Sequence, residues 1–141
     1  MRIEGFHHVA IRVQDFDAAI AFYRDGLGFP EQIRWSDGQK MIALLDTGGG
    51  DYIEILSNGK PPPLAEGAWG HLALRTDDCD AAFARAITAG ATVAIAPKDM
   101  PIRTADRTIP VRLAFCKGPN GEIIEFFQSD KLVGHACKEE F

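Results

Sequence analysis

Two histidines and two glutamates occupy matched positions in a chain that repeats itself. The segment that begins at His8 returns at His71, sixty-three residues later, and eight of sixteen aligned positions are identical. Each copy then ends in an apolar segment with one acid, which is Glu54 in the first copy and Glu125 in the second. Two neutral imidazoles and two carboxylates suit a divalent first-row metal such as Zn, Ni, Co, Mn or Fe. Such a set leaves open coordination positions, so the pattern predicts a catalytic metal site.

The surroundings of the two acids support the same prediction. Period-two alternation places Glu54 and Glu125 on strand faces with apolar neighbours. A buried carboxylate without a partner loses several kcal/mol of hydration or takes up a proton, and a divalent cation is one partner that prevents this. The alternative is that both histidines are satisfied core residues and both glutamates are surface charges. Recurrence of the pair in both copies argues against that alternative.

The elements that must position these residues follow one order in both copies, namely a strand, a helix and three further strands. The first copy is predicted to have a helix at about 17–25 after the N-cap Asp15, and strands at about 6–13, 31–36, 40–46 and 51–56. The second copy is predicted to have a helix at about 80–89 after the N-cap Asp78, and strands at about 69–76, 92–96, 111–117 and 122–128. A turn at 119–121 joins the last two strands, and the inserted segment 97–110 is interpreted as a Pro-rich loop.

This order predicts an α+β fold in which two tandem βαβββ modules form a curved mixed sheet around the metal site. We expect a single domain over 1–141. Module one is placed at 5–57, a linker at 58–68, module two at 69–128 and a tail at 129–141. If the first and last strands of each module are neighbours, their histidine and glutamate can reach one surface.

Composition excludes several classes of protein. Apolar residues make up 46% and charged residues 25%, which is ordinary for a globular chain. No apolar run is long enough for a membrane span and the first residues do not resemble a secretion signal, so a cytoplasmic location is expected. A net charge of −5 disfavours nucleic acid as a partner. Cys79, Cys116 and Cys137 are scattered and are expected to be reduced and structural.

The motifs around the four donors resemble those of the vicinal oxygen chelate superfamily. They are His8 in His-Val-Ala-Ile-x-Val-x-Asp, Glu54 in Ile-Glu-Ile-Leu, His71 in Gly-His-Leu-Ala-Leu and Glu125 in Gly-x-Ile-Ile-Glu-Phe-x-Gln. The resemblance covers about residues 5–128 and implies a glyoxalase-like fold with one divalent metal per site. The superfamily includes glyoxalase I, methylmalonyl-CoA epimerase, extradiol dioxygenases, fosfomycin-resistance enzymes and bleomycin-binding proteins. A His-Glu-His-Glu set is similar to that of glyoxalase I, which is lactoylglutathione lyase.

This resemblance implies a metal-dependent lyase or isomerase acting on a small substrate with vicinal oxygens, such as a thiol adduct or a thioester. The metal would stabilise an enediolate, with Glu125 as the base, Glu54 as its partner, and His8 and His71 holding the ion. One alternative is an acyl-CoA epimerase of the methylmalonyl-CoA type, although such enzymes typically have Gln at the position of Glu54. Another is a metal-free drug- or toxin-binding protein. A homodimer is expected, because open sheets in this superfamily usually pair.

Five polar residues are candidates for substrate binding: Arg12, Asn58, Lys98, Arg103 and Arg107. Arg12 and Asn58 each lie four residues after a predicted ligand, at positions that contact glutathione in glyoxalase I. The three cations of the inserted segment depart from the glyoxalase pattern and are suited to a carboxylate, a phosphate or a coenzyme A tail. The alternative is that all five are solvated charges or turn residues.

Two further histidines are not predicted to bind the metal. His7 is expected to point to the face opposite His8, and the second copy has Gly70 in its place. His135 and Cys137 follow the last predicted strand, in a polar tail. The sequence also lacks a Gly-rich phosphate loop and a nucleophile elbow.

Overall fold

The computed structural model describes residues 6–60 and 70–132 of the chain. Within these residues the chain forms two compact units, one over 6–60 with 119–121 and the other over 70–118 with 122–132. Each unit contains a mixed four-stranded sheet and the order β-α-β-β-β, which confirms the predicted α+β class and the repeat. Most of the predicted linker, together with His135 and Cys137 of the tail, lies outside the described residues. The boundaries of the modules and the single domain stay predictions.

The first unit places its first and last strands side by side. Its elements are β1 (His8–Arg12), α1 (Phe16–Ile20), a π-helical segment (Ala21–Gly26), β2 (Glu31–Ser36), β3 (Met41–Asp46) and β4 (Tyr52–Leu56). The sheet order is β1-β4-β3-β2, with β1 parallel to β4 and the other pairs antiparallel. The strand that carries His8 is therefore the neighbour of the strand that carries Glu54, which is the condition for the two side chains to reach one surface.

The second unit repeats this arrangement and adds a small hairpin. Its elements are β5 (Leu72–Arg75), α2 (Cys79–Thr88), β6 (Thr92–Asp99), β7 (Ile102–Arg103), β8 (Thr108–Ile109), β9 (Arg112–Lys117) and β10 (Ile123–Gln128). The main sheet has the order β5-β10-β9-β6, with β5 parallel to β10, and β7 pairs with β8 in a separate two-stranded sheet. The predicted turn between β9 and β10 is present, with Gly121 at a φ of 82° that favours glycine.

Both helices begin at the predicted aspartates. The Ala18 N–H donates to Asp15 Oδ1 at 3.0 Å, and the Ala81 N–H donates to Asp78 Oδ1 at 3.0 Å. Each carboxylate thereby satisfies a donor in the first helical turn that has no partner within the helix. The first helix departs from the prediction after Ile20, where it widens into the π-helical segment and buries the consecutive rings of Phe22 and Tyr23.

The interpretation of the inserted segment as a loop is wrong. Strand β6 continues to Asp99, and the Met100 N–H then donates to Val111 O at 2.8 Å, which extends the ladder beyond the main sheet. We call residues 100–111, which contain β7 and β8, the arm. A proline at position 97 had indicated a loop, but β6 is an edge strand of the sheet and tolerates a missing donor there.

The core of each unit lies on the face of the sheet that the helix covers. Ile53 and Ile55 of β4 are almost fully buried, as are Ile124 and Phe126 of β10. Cys116 is also fully buried as a free thiol, and burial raises its pKa to about 11, which fits the predicted structural role. In the described part of the chain, no helix combines the length and apolar character that crossing a membrane requires.

Gly59 packs directly against the backbone that follows β1. Its N–H donates to Val13 O at 2.9 Å, and a Cβ built at this position would lie 2.6 Å from the backbone N and C of Val13. We expect Gly59→Ala to lower the free energy of unfolding by about 1–3 kcal/mol, because the backbone must shift to admit the methyl group. Urea denaturation measures the change. Gly70→Ala is the matched control, since nothing lies within 4 Å of its Cβ position, and equal losses in both variants would contradict this contact.

Candidate metal centre

The first unit brings His8 and Glu54 together on the sheet face that the helix leaves open. In the parallel pairing of β1 with β4, His8 is opposite Tyr52 and Ala10 is opposite Glu54, so both side chains project from the same face. The His8 Nε2 lies 3.8 Å from Glu54 Oε2. The imidazole is 40% exposed and the carboxylate 18% exposed. The structure therefore brings these two side chains together within this unit, and their role as metal ligands stays a prediction.

The second unit forms the equivalent pair with a shorter contact. Glu125 is opposite Ala73 in the pairing of β10 with β5, and His71 immediately precedes β5. The His71 Nε2 lies 2.8 Å from Glu125 Oε2, a hydrogen-bonding distance, and the carboxylate is only 8% exposed. Phe115 is opposite Glu125 on β9, and its ring packs edge-on against His71 with centroids 5.3 Å apart. This apolar ring shields one side of the pair from water.

The chemistry of these donors fits a divalent metal. Each unit presents one imidazole Nε2 and one carboxylate Oε2, the atoms that borderline first-row ions take from proteins. Within each unit the carboxylate has already lost part of its hydration and faces an imidazole. A bound cation would stabilise such a carboxylate more than the few water molecules that can reach it. That the two pairs share one ion stays a prediction.

His7 does not point away from His8, so the prediction of its orientation is wrong. Its Nδ1 lies 2.9 Å from His8 Nδ1, and its ring centroid lies 5.4 Å from that of Tyr52 on the neighbouring strand. Strand β1 begins only at His8, and the alternation of faces therefore does not extend back to His7. The adjacent pair His7-His8 in the sequence was the available signal for this contact.

An apolar shelf lies beside Glu54 on the same face of the first sheet. Ile33 of β2 is opposite Leu44 of β3, which is opposite Glu54 of β4. Trp35 occupies the next position of β2 on that face. The side chains of Ile33 and Trp35 are 51% and 37% exposed. These two residues, which we call the shelf, were not predicted as site residues, although the alternation in β2 was the signal for them.

Arg12 and Asn58 lie near one end of the same strands. Arg12 is opposite Leu56 at the end of the pairing of β1 with β4. The hydrogen bond from Gly59 to Val13 then holds the chain at Asn58 beside the end of β1. Both side chains are exposed, and within the described residues the Arg12 guanidinium has no acidic partner. The structure thus brings these two predicted residues into one region of the first unit.

The cations of the inserted segment belong to β6 and the arm. One row of paired residues crosses the second sheet from β6 to β5. It consists of Lys98, Leu113, Phe127 and Arg75, each opposite the next. Phe127 is two residues from Glu125 on one strand, so this register places Lys98 on the side of the sheet that carries Glu125. Arg75 ends the same row at the position that Arg12 has in the first unit, and it is a candidate that the prediction omitted.

The base of the arm packs on the same side of the second sheet. Ile109 is buried with Val111 and Leu113, and the rings of Phe115 and Phe127 pack against this cluster. The arm therefore begins next to the residues that surround Glu125. Arg103 in β7 and Arg107 in the following turn are exposed, and among the residues that the structure describes neither guanidinium pairs with an acid. The arm carries both charges into solvent.

A pocket of about 460 Å³ in the second unit is separate from the His71–Glu125 pair. Its lining consists of Asp99, Pro101, Pro110, Val111, Arg112, Gln128, Ser129, Asp130 and Lys131. Neither His71 nor Glu125 lines it. The Arg112 guanidinium already donates to Asp80 at 2.5 and 2.8 Å and to Asp99 at 3.1 Å. We therefore assign the pocket no part in the chemistry of the pairs.

Known proteins resemble the chain over most of its length. YwbC of Bacillus subtilis, an uncharacterised protein, is 34% identical over 127 residues that cover 86% of this chain and 94% of YwbC. A probable lactoylglutathione lyase of Vibrio cholerae is 28% identical over 128 residues, with 86% and 88% of the two chains covered. The crystal structure of TnmS3, an antibiotic binding protein from Streptomyces sp. CB03234, matches with a TM-score of 0.64 and 25% identity, covering 92% of this chain and 98% of TnmS3.

A profile of one superfamily accounts for nearly the whole chain. It matches residues 5–126, which include both His–Glu pairs and both copies of the repeat. The match agrees with the observed βαβββ order and with the motifs around the four donors. The chain belongs to the glyoxalase/bleomycin resistance protein/dioxygenase superfamily.

Proposed function

We propose that the protein is a metal-dependent lyase or isomerase of the glyoxalase I type, acting on a small substrate with vicinal oxygens. The observation that supports this most is the matched His–Glu pair in each unit, with Nε2 to Oε2 distances of 3.8 and 2.8 Å. Similarity to a probable lactoylglutathione lyase adds support. A protein that only binds a ligand has no need of the same metal-binding donors in both copies.

Four residues would hold the metal: His8, Glu54, His71 and Glu125. When bound, the ion would supply a Lewis acid that stabilises negative charge developing on a substrate oxygen. The two imidazoles hold the site and do not transfer protons. Glu125 removes the proton from the carbon next to the substrate carbonyl, and Glu54 is its partner in returning a proton. Glu125 is the better base of the two because it is the more buried, so fewer waters compete for its oxygens.

Glu125 needs a free oxygen to accept that proton. A carboxylate oxygen committed to a cation is a poor base, so this side chain has to release one interaction when substrate binds. Glu125 is only 8% exposed, so little water can bond to the released oxygen, and the substrate proton is its available partner.

The surroundings of the pairs suggest what the substrate carries. The shelf of Ile33 and Trp35 would accept an apolar group, because large exposed apolar side chains beside a polar site are typical of ligand-binding surfaces. Arg12, Asn58, Lys98, Arg103 and Arg107 would bind an anionic or amide-containing group. A thiol adduct and an acyl thioester both combine such groups, so both belong in the substrate screen.

A second candidate function is binding of a drug or toxin without catalysis. The similarity to the antibiotic binding protein TnmS3 supports it, together with the exposed shelf. It differs from the leading proposal in one measurable respect, since no metal is required. An acyl-CoA epimerase would share the metal and differ in substrate, and Glu54 is not the Gln typical of those enzymes.

Metal content of the untagged protein tests the proposal directly. We expect about one transition-metal ion per chain by elemental mass spectrometry, or uptake of one on reconstitution. The loaded protein is then assayed with methylglyoxal and several thiols, followed by acyl-CoA thioesters. A protein that neither contains nor takes up metal would contradict the proposal and favour the binding function. Light scattering in the same preparation tests the homodimer, which we also propose.

The cations of the arm provide a prediction about substrate charge. The double variant Arg103→Ala, Arg107→Ala should raise KM for an anionic substrate about 10-fold or more, because each lost charged hydrogen bond is worth about 1.5–3 kcal/mol. The kcat should change little, since both residues are proposed to bind the substrate and neither is proposed to transfer its proton. Steady-state kinetics on the best substrate of the screen measures both values. Lys40→Ala removes a cation already paired with Asp37 at 2.5 Å and serves as the control. An equal rise in KM in this control, or no rise in the double variant, would exclude a role for the arm.

A further inference from the structure

We propose that His7 is a positioning residue that fixes the tautomer of His8. It would hold the proton of His8 on Nδ1 and so leave His8 Nε2 unprotonated and able to bind a cation. The part of this inference that concerns the metal rests on the proposed function, whereas the tautomer itself does not. The sequence alone indicated the reverse, namely that His7 faces away.

The contact between the two rings requires one hydrogen. The two Nδ1 atoms are 2.9 Å apart, and their rings meet edge-on with an interplanar angle of 83°. Two unprotonated nitrogens at this distance would repel each other, so one Nδ1–H donates to the other Nδ1. Either His7 or His8 is the donor, and the choice decides which nitrogen of His8 is free.

The distance from His8 to Glu54 favours one of the two donors. If His7 donated, the proton of neutral His8 would be on Nε2, facing Glu54. An N–H that faces a carboxylate is expected to approach it to about 2.7–2.9 Å. The His8 Nε2 instead remains 3.8 Å from Glu54 Oε2, beyond hydrogen-bonding reach. We therefore take His8 as the Nδ1–H donor and His7 as the acceptor.

Contacts with β4 hold His7 where it can accept this bond. The Tyr52 N–H donates to His7 O at 2.9 Å, which extends the parallel ladder by one residue. The rings of His7 and Tyr52 lie 5.4 Å apart at an angle of 46°. The remaining proton of His7 is then on Nε2, and because this ring is exposed, water can accept it. Partners of this kind fix both the tautomer and the ring orientation of metal-binding histidines.

The second copy has no residue equivalent to His7. Gly70 stands where the first copy has His7, and the position offers no side chain that could bond to His71. The Nε2 of His71 lies 2.8 Å from Glu125 Oε2, closer than His8 Nε2 lies to Glu54. The two copies of the repeat therefore differ in the surroundings of their histidines.

Nuclear magnetic resonance of the metal-free protein tests the tautomer without any metal. Two-bond proton–nitrogen correlations in ¹⁵N-histidine-labelled protein distinguish a protonated from an unprotonated ring nitrogen, at a pH where the imidazoles are neutral. We expect His8 as the Nδ1–H form in the wild type and a shift towards Nε2–H in His7→Phe. A His8 ring protonated on Nε2 in the wild type would overturn the inference, whatever the protein's function.

Metal affinity then separates hydrogen bonding from packing. His7→Phe keeps a ring against Tyr52 and removes the acceptor, so it should weaken Zn²⁺ or Co²⁺ binding about 10–100-fold in a chelator competition. His7→Asn places an amide oxygen where Nδ1 stood and should restore most of that loss. Equal losses in both variants, or none in either, would overturn the role of His7. A wild-type protein without metal affinity would instead refute the proposed function. The tautomer measurement would still test whether His7 fixes the proton of His8 on Nδ1.

Discussion

Glu125→Gln is expected to abolish turnover while the protein stays folded. General base catalysis typically contributes about 10²–10⁴-fold to a rate, and the amide cannot accept the proton. The substitution adds no bulk and removes a buried negative charge, and an amide oxygen can still accept from His71. We therefore expect the loss in kcat rather than in stability. Steady-state kinetics on the loaded enzyme, with circular dichroism for the fold, measures both.

Glu54→Gln is the matched control for this result. It makes the same chemical change at the equivalent position of the first unit, on a carboxylate that is 18% rather than 8% exposed. Related epimerases typically carry Gln there, so the variant should keep metal and some activity. A Glu125→Gln enzyme with a near-normal rate would exclude Glu125 as the base, and equal losses in both variants would show that the two acids do not divide the roles as proposed.

His8→Ala is expected to lower metal affinity by more than about 100-fold. Loss of an outer partner of a metal ligand already costs about 10–100-fold, and this variant loses the ligand itself. Elemental mass spectrometry after dialysis should find little metal. Thermal unfolding supplies a second readout, because a metal that binds only the folded chain raises the Tm of the wild type and should not raise that of the variant.

His71→Ala should behave like His8→Ala if both pairs serve one ion. His135, at a position beyond the described residues, provides the control for histidine number, and His135→Ala should retain full metal. Metal loss in only one of the two ligand variants would mean that the halves do not share an ion. Full metal in both would remove these histidines from the site.

The repeated pattern predicted the elements that carry the chemistry because local physics determines them. Asp15 and Asp78 cap their helices through hydrogen bonds within three residues, so no distant contact is needed to predict them. The side chains of His8 and Glu54 share a face because alternation along two parallel strands requires it once the strands are neighbours. The sequence left that neighbour relation as a condition, and the parallel pairing of β1 with β4 meets it.

Features that depend on tertiary contacts could not be predicted in this way. The arm forms because Met100 finds Val111 across the ladder, and local prolines gave the opposite signal. The need for glycine at position 59 arises from the backbone at Val13, distant in sequence. For the arm and for Gly59, the deciding partner is absent from the local sequence. His7 turns towards its neighbour His8 because the strand begins two residues later than its predicted start, so the alternation of faces does not apply to His7.

The position of the arm has a consequence for how this protein can be altered. The donors of the second unit lie at β5 and β10, towards one edge of the sheet, whereas the arm connects β6 and β9 towards the opposite edge. Ile109 and Val111 are buried against the second sheet, so exchange of 101–108 alone for loops of different length or charge should leave the donor strands in register. Evolution and protein engineering can use this separation alike, so that the charge and length of the arm change through a single graft while the four donors are kept.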